Sequence, residues 1–406
     1  MKKIIPLLVG LAVWTATSAV AMADTAPTAP TAPTTPAAVH HPKTGDLPKP
    51  SGETKAAKKK AAARSAADST QPAKKQQPIS IKFDVRADWE YHHYGEDGPD
   101  DESGFAGKFL NFILDGNIND QFSYHFRYRF NKLNSAQDFF EATDWAYLNY
   151  DINKNWRLSA GKQVIAIGGY EYDKAPIDVY FYSDFCNYLP ACYEFGISGQ
   201  YTTNDGRNTI LFQISNSPFT SKSIRFEGLY AYNLMWYGNY GVFNSMYSVN
   251  LIEYKPNHYI NYIALGNQFN AGPVCIELDY TNRYGGGKNF FNDFTVVGKV
   301  NYSIKNRVNI FAKGGFDYNN AQSPTVIPPD IASEDYLKYL QSLYYYDLAV
   351  LPGTSYGFYG AGVEFFPMKN SHNVRLHAYW CSSTANTKAH NFAIGFRWRL
   401  NAFERE

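Results

Sequence analysis

From Ile79 onward, apolar and polar residues alternate along the chain. Between Ile79 and Tyr91 every odd-numbered residue is apolar or aromatic, and every even-numbered one is polar or charged. The segments Phe122–Phe130, Val274–Tyr280 and Phe392–Leu400 repeat this period of two. A period of two is typical of β-strands that present one apolar face and one polar face. The pattern therefore predicts an all-β protein from residue 79 to residue 406.

Weaker alternation predicts further strands between these four. They fall at 105–117, 143–151, 156–164, 195–202, 208–216, 230–237, 243–253, 259–269, 293–304, 308–316, 356–366 and 374–383, which brings the predicted count to sixteen. The connections alternate between short turns, such as Lys305-Asn306, and long loops, such as 165–194 and 317–355; only 254–258 is short where a long loop is expected. An even strand count with such connections predicts a closed antiparallel transmembrane β-barrel.

Large aromatic residues recur on the apolar faces of the predicted strands. In a barrel they would lie at the membrane interfaces, as a girdle of Trp89, Tyr91, Trp145, Trp156, Trp236, Trp380 and Trp398. The alternative is a soluble β-sandwich with these aromatics in its core. A sandwich would need more small aliphatic residues than this chain has, so the barrel is the favoured interpretation.

The first 78 residues have a different character. Lys2 and Lys3 precede the apolar run Ile4–Val13, and Ala21-Met22-Ala23 supplies small residues for cleavage, which predicts a signal peptide at 1–23. Residues 24–78 are rich in Pro, Ala and Lys and predict a disordered periplasmic linker. This linker is either a solvated spacer or a cationic tether to an anionic envelope polymer.

Composition excludes several classes of protein. Aromatic residues make up 17% of the chain, charged residues 18%, and the mean hydropathy is −0.40, which argues against a helical membrane protein. The net charge of +1 does not indicate a basic surface for binding nucleic acid. No nucleotide-binding loop or metalloprotease motif occurs, and the pairs His40-His41 and His92-His93 lack further metal ligands, so neither a metal nor a cofactor is predicted.

A barrel of sixteen strands leaves an aqueous channel, which predicts passive diffusion of small hydrophilic solutes. Basic residues at lumen-facing positions would line that channel: Lys82, Arg86, His125, Arg127, Arg129, Arg283, Arg375, Arg397 and Arg399, with Lys299 and Lys313 as further candidates. Two interpretations stay open. The cations either attract small anions or pair with wall acids such as Asp84, Asp88 and Glu277.

Loop 96–102 concentrates five carboxylates. Acids at the cell surface can bridge to lipopolysaccharide through divalent cations, which is favoured here over a specific calcium site.

Four cysteines are present. Cys186 and Cys192 lie six residues apart in loop 165–194 and could form a disulfide in an oxidising envelope or remain free. Cys275 and Cys381 fall on predicted strands four apart, too distant to bond.

Several short motifs resemble those of the phosphate-selective porin family of the O and P type. They are Leu114–Ile118 followed by Tyr124–Tyr128, Gly161–Gln163, Gly168–Glu171 with Tyr182–Phe185, and Ile263–Asn267. The resemblance implies a sixteen-stranded homotrimeric porin of the cell outer membrane, in contact with membrane lipid, whose third extracellular loop folds inward. Tyr170, Glu171, Lys174 and Asp184 would then lie at the constriction.

The resemblance also implies phosphate selectivity through wall arginines and constriction lysines. Loop 165–194 departs from this pattern, because it holds one lysine, Lys174, against the five acids Glu171, Asp173, Asp178, Asp184 and Glu194. The leading hypothesis is therefore a diffusion porin, not an enzyme, with anions such as phosphate among its solutes. A receptor or adhesin acting through its long loops is the alternative, and a barrel enzyme is a third.

Overall fold

The computed structural model describes sixteen strands joined into one closed sheet. The strands are β1 (Ile79–His93), β2 (Glu102–Asn117), β3 (Phe122–Arg129), β4 (Thr143–Asp151), β5 (Trp156–Val164), β6 (Tyr193–Thr202), β7 (Asn208–Asn216), β8 (Tyr230–Asn239), β9 (Phe243–Lys255), β10 (His258–Ala271), β11 (Val274–Gly285), β12 (Asp293–Ile304), β13 (Val308–Asn319), β14 (Thr354–Phe365), β15 (Val374–Ser383) and β16 (His390–Arg405). The described residues are 78–94, 100–132, 139–183, 185–186, 192–219, 228–285, 291–319, 354–369, 371–384 and 390–405.

Each strand pairs antiparallel with its neighbours in the sequence, and β1 pairs with β16 to close the barrel. At the closure Asp84 lies opposite Arg399, and Arg86 lies opposite Arg397. The sixteen-stranded antiparallel barrel predicted from the alternation is thus confirmed. The predicted signal peptide and linker, residues 95–99 of the acidic loop and residues 320–353 lie outside the described residues.

Connections alternate in length around the barrel, as the turn residues predict. Lys305 and Asn306 join β12 to β13 with φ of 50° and 53°, and the Arg307 N–H donates to the Ile304 carbonyl at 3.0 Å. Two positive φ values give a turn that matches the twist of a β-hairpin. The exception lies between β9 and β10, where only Pro256 and Asn257 connect the strands.

The two faces of the wall differ as a membrane barrel requires. Outward residues such as Leu158, Phe212 and Val249 are exposed apolar side chains, whereas the lumen face holds buried polar ones. Trp145 does not belong to the predicted aromatic girdle. It is only 8% exposed, and the Arg127 guanidinium carbon lies 3.9 Å from the centre of its ring. Trp145 lies opposite Arg127 in unbroken register with the pair of His125 and Tyr147, so the regular alternation of β4 directs it to the lumen.

Helical structure is sparse in the described part of the chain. Single turns occur at α1 (Phe139–Ala142) and α2 (Tyr170–Asp173), with 3-10 turns at Phe130–Lys132 and Pro176–Asp178. No helix among the described residues is long and apolar enough to cross a bilayer.

One glycine in the wall is sterically required. Gly161 on β5 has φ +127°, and a Cβ atom there would lie 2.2 Å from the Ala146 carbonyl oxygen. We expect Gly161→Ala to destabilise the β4–β5 pair by about 1–3 kcal/mol, because both strain and overlap arise. The measurement is the temperature at which the folded barrel converts to its unfolded form on a gel. Gly107→Ala is the control, because no atom lies within 4 Å of its added Cβ, and equal shifts for both variants would contradict the prediction.

Candidate functional site: a loop held inside the barrel

The described part of the connection between β5 and β6, residues 165–183, 185–186 and 192, lies inside the barrel; we call it the inward loop. Its residues Ile165, Ile167 and Ile177 are no more than 1% exposed. They owe this burial to the lumen face of the wall, where Ile165 and Ile167 form one apolar cluster with Ala231, Ile252, Ile260, Tyr262 and Ala264. The inward loop therefore occupies part of the lumen that sixteen strands would otherwise leave open.

The first segment of the inward loop is fastened to β7 and β9. The backbone N–H of Ala166 donates to the Gln213 side chain at 2.9 Å, and its carbonyl accepts from Asn250 at 2.7 Å. The N–H of Gly168 donates to the Ser248 hydroxyl at 2.8 Å. Buried backbone groups need such partners, so the polar lumen face supplies what a sheet partner would otherwise give.

The helical turn α2 is held at its start by a wall carboxylate. The backbone N–H groups of Tyr170 and Glu171 donate to the two oxygens of Asp279 on β11, at 2.8 and 2.7 Å. Asp279 thus satisfies the free donors with which a helical turn begins. This places Tyr170 and Glu171, both predicted at the constriction, over the β11 wall.

Glu171 links the inward loop to β13. Its carboxylate accepts from the Lys313 ammonium at 2.5 Å and from the backbone N–H and hydroxyl of Ser183 at 2.8 and 2.5 Å. Burial acts to raise the pKa of Glu171, but Lys313 and Ser183 outweigh it and hold the pKa below its ordinary value. Glu171 is therefore an ionised anchor of the loop, and Lys313 also donates to the Phe181 carbonyl.

Two wall arginines bind the far end of the inward loop, at residues 177–179. Arg375 on β15 donates to the Asp178 carboxylate at 2.7 Å and to the Ile177 carbonyl at 3.0 Å. Arg86 on β1 donates to the Val179 carbonyl at 2.7 Å. Arg86 is itself held by Asp88 at 2.6 Å, so the inward loop reaches across the lumen from β5 to the β1–β15 side of the barrel.

A second cationic cluster lies beside β3 and β4. Arg127, Arg129 and Lys132 all bind the single carboxylate of Asp144, at 3.0, 2.7 and 3.3 Å. Asp144 is fully buried, and Arg127 also donates to the Tyr193 hydroxyl at 2.5 Å. One carboxylate thus neutralises part of the charge of three cations.

The remaining wall cations divide into paired arginines and more exposed groups. Arg283 binds Asp293 at 2.7 Å, and Arg397 and Arg399 both bind Asp84. His125 pairs with Asp115 at 2.9 Å, and Lys82 is half-buried. The expectation that arginines line the water path needs correction, because six of them are at most 6% exposed: Arg86, Arg127, Arg129, Arg283, Arg375 and Arg397. Guanidinium groups removed from water need carboxylate or carbonyl partners, which are the contacts they make.

Three lysines meet at a cavity between the inward loop and the wall. Lys174 comes from the loop, and Lys299 and Lys313 are cross-strand partners on β12 and β13. The cavity is lined by Glu171, Lys174, Asp178, Val179, Tyr180, Phe181, Glu277, Asp279, Val297, Lys299, Phe311 and Lys313. Counting lysines within the loop alone missed this cluster, although the alternation of β12 and β13 places two of them at lumen-facing positions.

The predicted disulfide is not formed. Cys186 and Cys192 are both buried, and no disulfide joins them. The Cys186 N–H donates to the Ser183 hydroxyl, while the Cys192 carbonyl accepts from Ile165, so each cysteine is held by a different part of the loop. Burial raises the pKa of the Cys186 thiol well above its ordinary value, which makes it unreactive. Asp184, predicted at the constriction, lies outside the described residues.

No metal-binding cluster is found in the part of the chain that the structure describes. Within those residues, no group of three or more His, Cys, Asp or Glu side chains could hold an ion.

Solved structures with the same architecture are outer-membrane channels and proteins. The anion-selective porin of Comamonas acidovorans matches with a TM-score of 0.56 at 10% identity, over 80% of this chain and 100% of that one. The channel DcaP of Acinetobacter baumannii matches with a TM-score of 0.52 at 13% identity, over 79% and 97%. The trimer form of OmpT of Vibrio cholerae gives 0.52 at 12%, over 80% and 99%. At these identities the likeness concerns the fold.

The sequence itself matches one family model. Residues 79–254, which include β1 to β8 and nearly all of β9, match the model of phosphate-selective porin O and P. No curated protein sequence matches the chain significantly. The matched part contains the inward loop and the first nine strands of a closed sixteen-stranded barrel. Through residues 79–254, fewer than half of its residues, the chain is therefore similar to the phosphate-selective porin O and P family, and its closed sixteen-stranded barrel has the fold of outer-membrane porins.

Proposed function

We propose that the protein lets small hydrophilic solutes, small anions among them, diffuse across the outer membrane through the part of the lumen that the inward loop leaves open. The observation that carries this proposal is the docking of the inward loop. It is bonded to Asp279, Lys313, Arg375 and Arg86 on four separate strands, so it is a fixed constriction of the channel. A polar lumen with a fixed narrow point supports selection by size and charge.

The inward position of the loop argues against the alternative of a receptor that binds through this loop. A receptor would present its long loops to the outside, but residues 165–183 turn inward, with Ile165 and Ile177 buried inside the barrel. That segment is thus unavailable as a surface-binding element.

Planar-bilayer recording tests the channel directly. We expect the full-length protein, purified in detergent, to insert with discrete current steps whose size is proportional to voltage, because the constriction is fixed. The same preparation after heat denaturation is the control. Gel mobility verifies that the barrel is folded. The proposed function would be contradicted if the folded barrel inserts and gives no current step.

We further propose a homotrimer whose outward face contacts membrane lipid and lipopolysaccharide, preceded by a signal peptide at residues 1–23 and a periplasmic linker at 24–78. The family and the trimer form of the OmpT neighbour support the assembly. The exposed outward side chains, such as Leu158 and Phe212, support the lipid contact. The basic start and small residues before Asp24 support the signal peptide.

A further inference from the structure

One lysine at the cavity, Lys299, differs from the other two in its contacts. Lys174 binds Glu277, and Lys313 binds Glu171. Among the described residues Lys299 makes no hydrogen bond or ion pair; its cross-strand neighbour Glu277 is the carboxylate already bound by Lys174. The ammonium of Lys299 is therefore the cavity cation left for a passing solute.

The acids around the cavity are each occupied by donors from the protein. The pairs are Glu171 with Lys313 and Ser183, Asp178 with Arg375, Glu277 with Lys174 and Gln268, and Asp279 with the backbone N–H groups of Tyr170 and Glu171. These contacts hold the inward loop in place. They also reduce the repulsion that a free carboxylate would exert on an anion beside Lys299.

The surface beside Lys299 is apolar. Its ammonium lies 5.1 Å from the centre of the Phe311 ring, and Tyr180 stacks on that same ring at 5.2 Å with an angle of 6°. Val297 and Val179 also line the cavity, at 5% and 8% exposure. One unpaired cation thus faces a wall of aromatic and branched aliphatic side chains.

From this arrangement we propose that Lys299 is the specificity-determining residue of the channel and that the favoured solutes are small monocarboxylates with an apolar end, such as propionate. The proposal rests on the diffusion function proposed above. A monocarboxylate has one charged end for Lys299 and an apolar end for the half-buried rings of Tyr180 and Phe181, which also line the cavity. Inorganic phosphate carries oxygens on every side, and those that face the apolar wall would lose water without gaining a donor.

The test is bi-ionic recording with the full-length protein in a planar bilayer. Potassium chloride is placed on one side and potassium propionate or potassium phosphate on the other, and reversal potentials give the permeability ratios. We expect propionate to permeate better than phosphate beyond their difference in aqueous mobility. Lys299→Gln should lower the permeability of propionate relative to potassium by about fourfold, since one charge near the path is lost.

Controls separate this effect from a general change of charge. Lys305→Gln makes the same change in the exposed β12–β13 turn and should keep the wild-type ratios. Lys299→Met is a second uncharged variant, used if the glutamine variant does not fold. A wild-type ratio in the Lys299 variant, or phosphate permeation equal to that of propionate, would overturn the inference while leaving the channel intact. Absence of current in the wild type would overturn the proposed function and this inference with it.

Discussion

Replacing Arg86 by alanine is expected to release the far end of the inward loop and raise the mean single-channel conductance. Arg86 is 1% exposed, donates to the Ile177 and Val179 carbonyls and pairs with Asp88. Its loss leaves the Val179 carbonyl without its donor, while Asp88 keeps only His377 and the Ile177 carbonyl keeps only Arg375. Removing one partner of a buried ion pair costs about 3–5 kcal/mol of stability. The remaining contacts at the far end of the inward loop do not offset this cost. Planar-bilayer recording measures the conductance and its noise.

Arg157→Ala is the matched control for Arg86→Ala. Arg157 forms a two-point pair with Asp151, at 2.6 and 2.9 Å, but it is about one-third exposed and lies away from the inward loop. An exposed pair contributes at most about 1 kcal/mol, so folding and conductance should stay close to wild type. Equal conductance in both variants would show that Arg86 does not hold the loop.

Asp144→Asn is expected to have the largest effect on stability. Asp144 is fully buried and is the shared partner of Arg127, Arg129 and Lys132. The amide keeps the shape but removes the charge, so three cations remain close together without their counter-ion. We expect a loss of about 3–5 kcal/mol, seen as a lower temperature for conversion of the folded to the unfolded form on a gel.

The control for Asp144→Asn is Asp205→Asn in the exposed β6–β7 turn, where Arg207 lies 4.0 Å away. This variant should unfold at the wild-type temperature. The double variant Asp144→Asn with Arg129→Gln removes one of the stranded cations and should recover part of the loss. If Asp144→Asn unfolds at the wild-type temperature, the shared carboxylate is not a stabilising centre.

The strands were predictable from the sequence because membrane and lumen impose opposite solvents on alternate residues. Ile79–Tyr91 shows this without a fault, and the closure of β1 on β16 followed from it. The girdle prediction is wrong at Trp145 because it rests on residue type alone, whereas Trp145 shares the odd-numbered, lumen-facing positions of β4 with Asn149.

The constriction was less predictable because its contacts join distant parts of the chain. Arg375 and Asp178 are 197 residues apart, and no local pattern connects them. The inward direction of the loop came from family resemblance, whereas its lysine cluster combines Lys174 with Lys299 and Lys313 from strands that follow more than a hundred residues later. The wall arginines were found, but only the structure shows that carboxylates and loop carbonyls already occupy them.

The attachment of the inward loop also sets an order of assembly. Its bonds from Val179 to Arg86, from Glu171 to Lys313 and from Asp178 to Arg375 span 93, 142 and 197 residues of sequence. Contacts of such long range form late, because the intervening chain must first be brought together. Arg86 and Arg375 come from opposite ends of the chain and meet only when β1 pairs with β16. We therefore expect the wall to close first and the channel to narrow last, so that a nascent barrel has a wide bore before the inward loop docks.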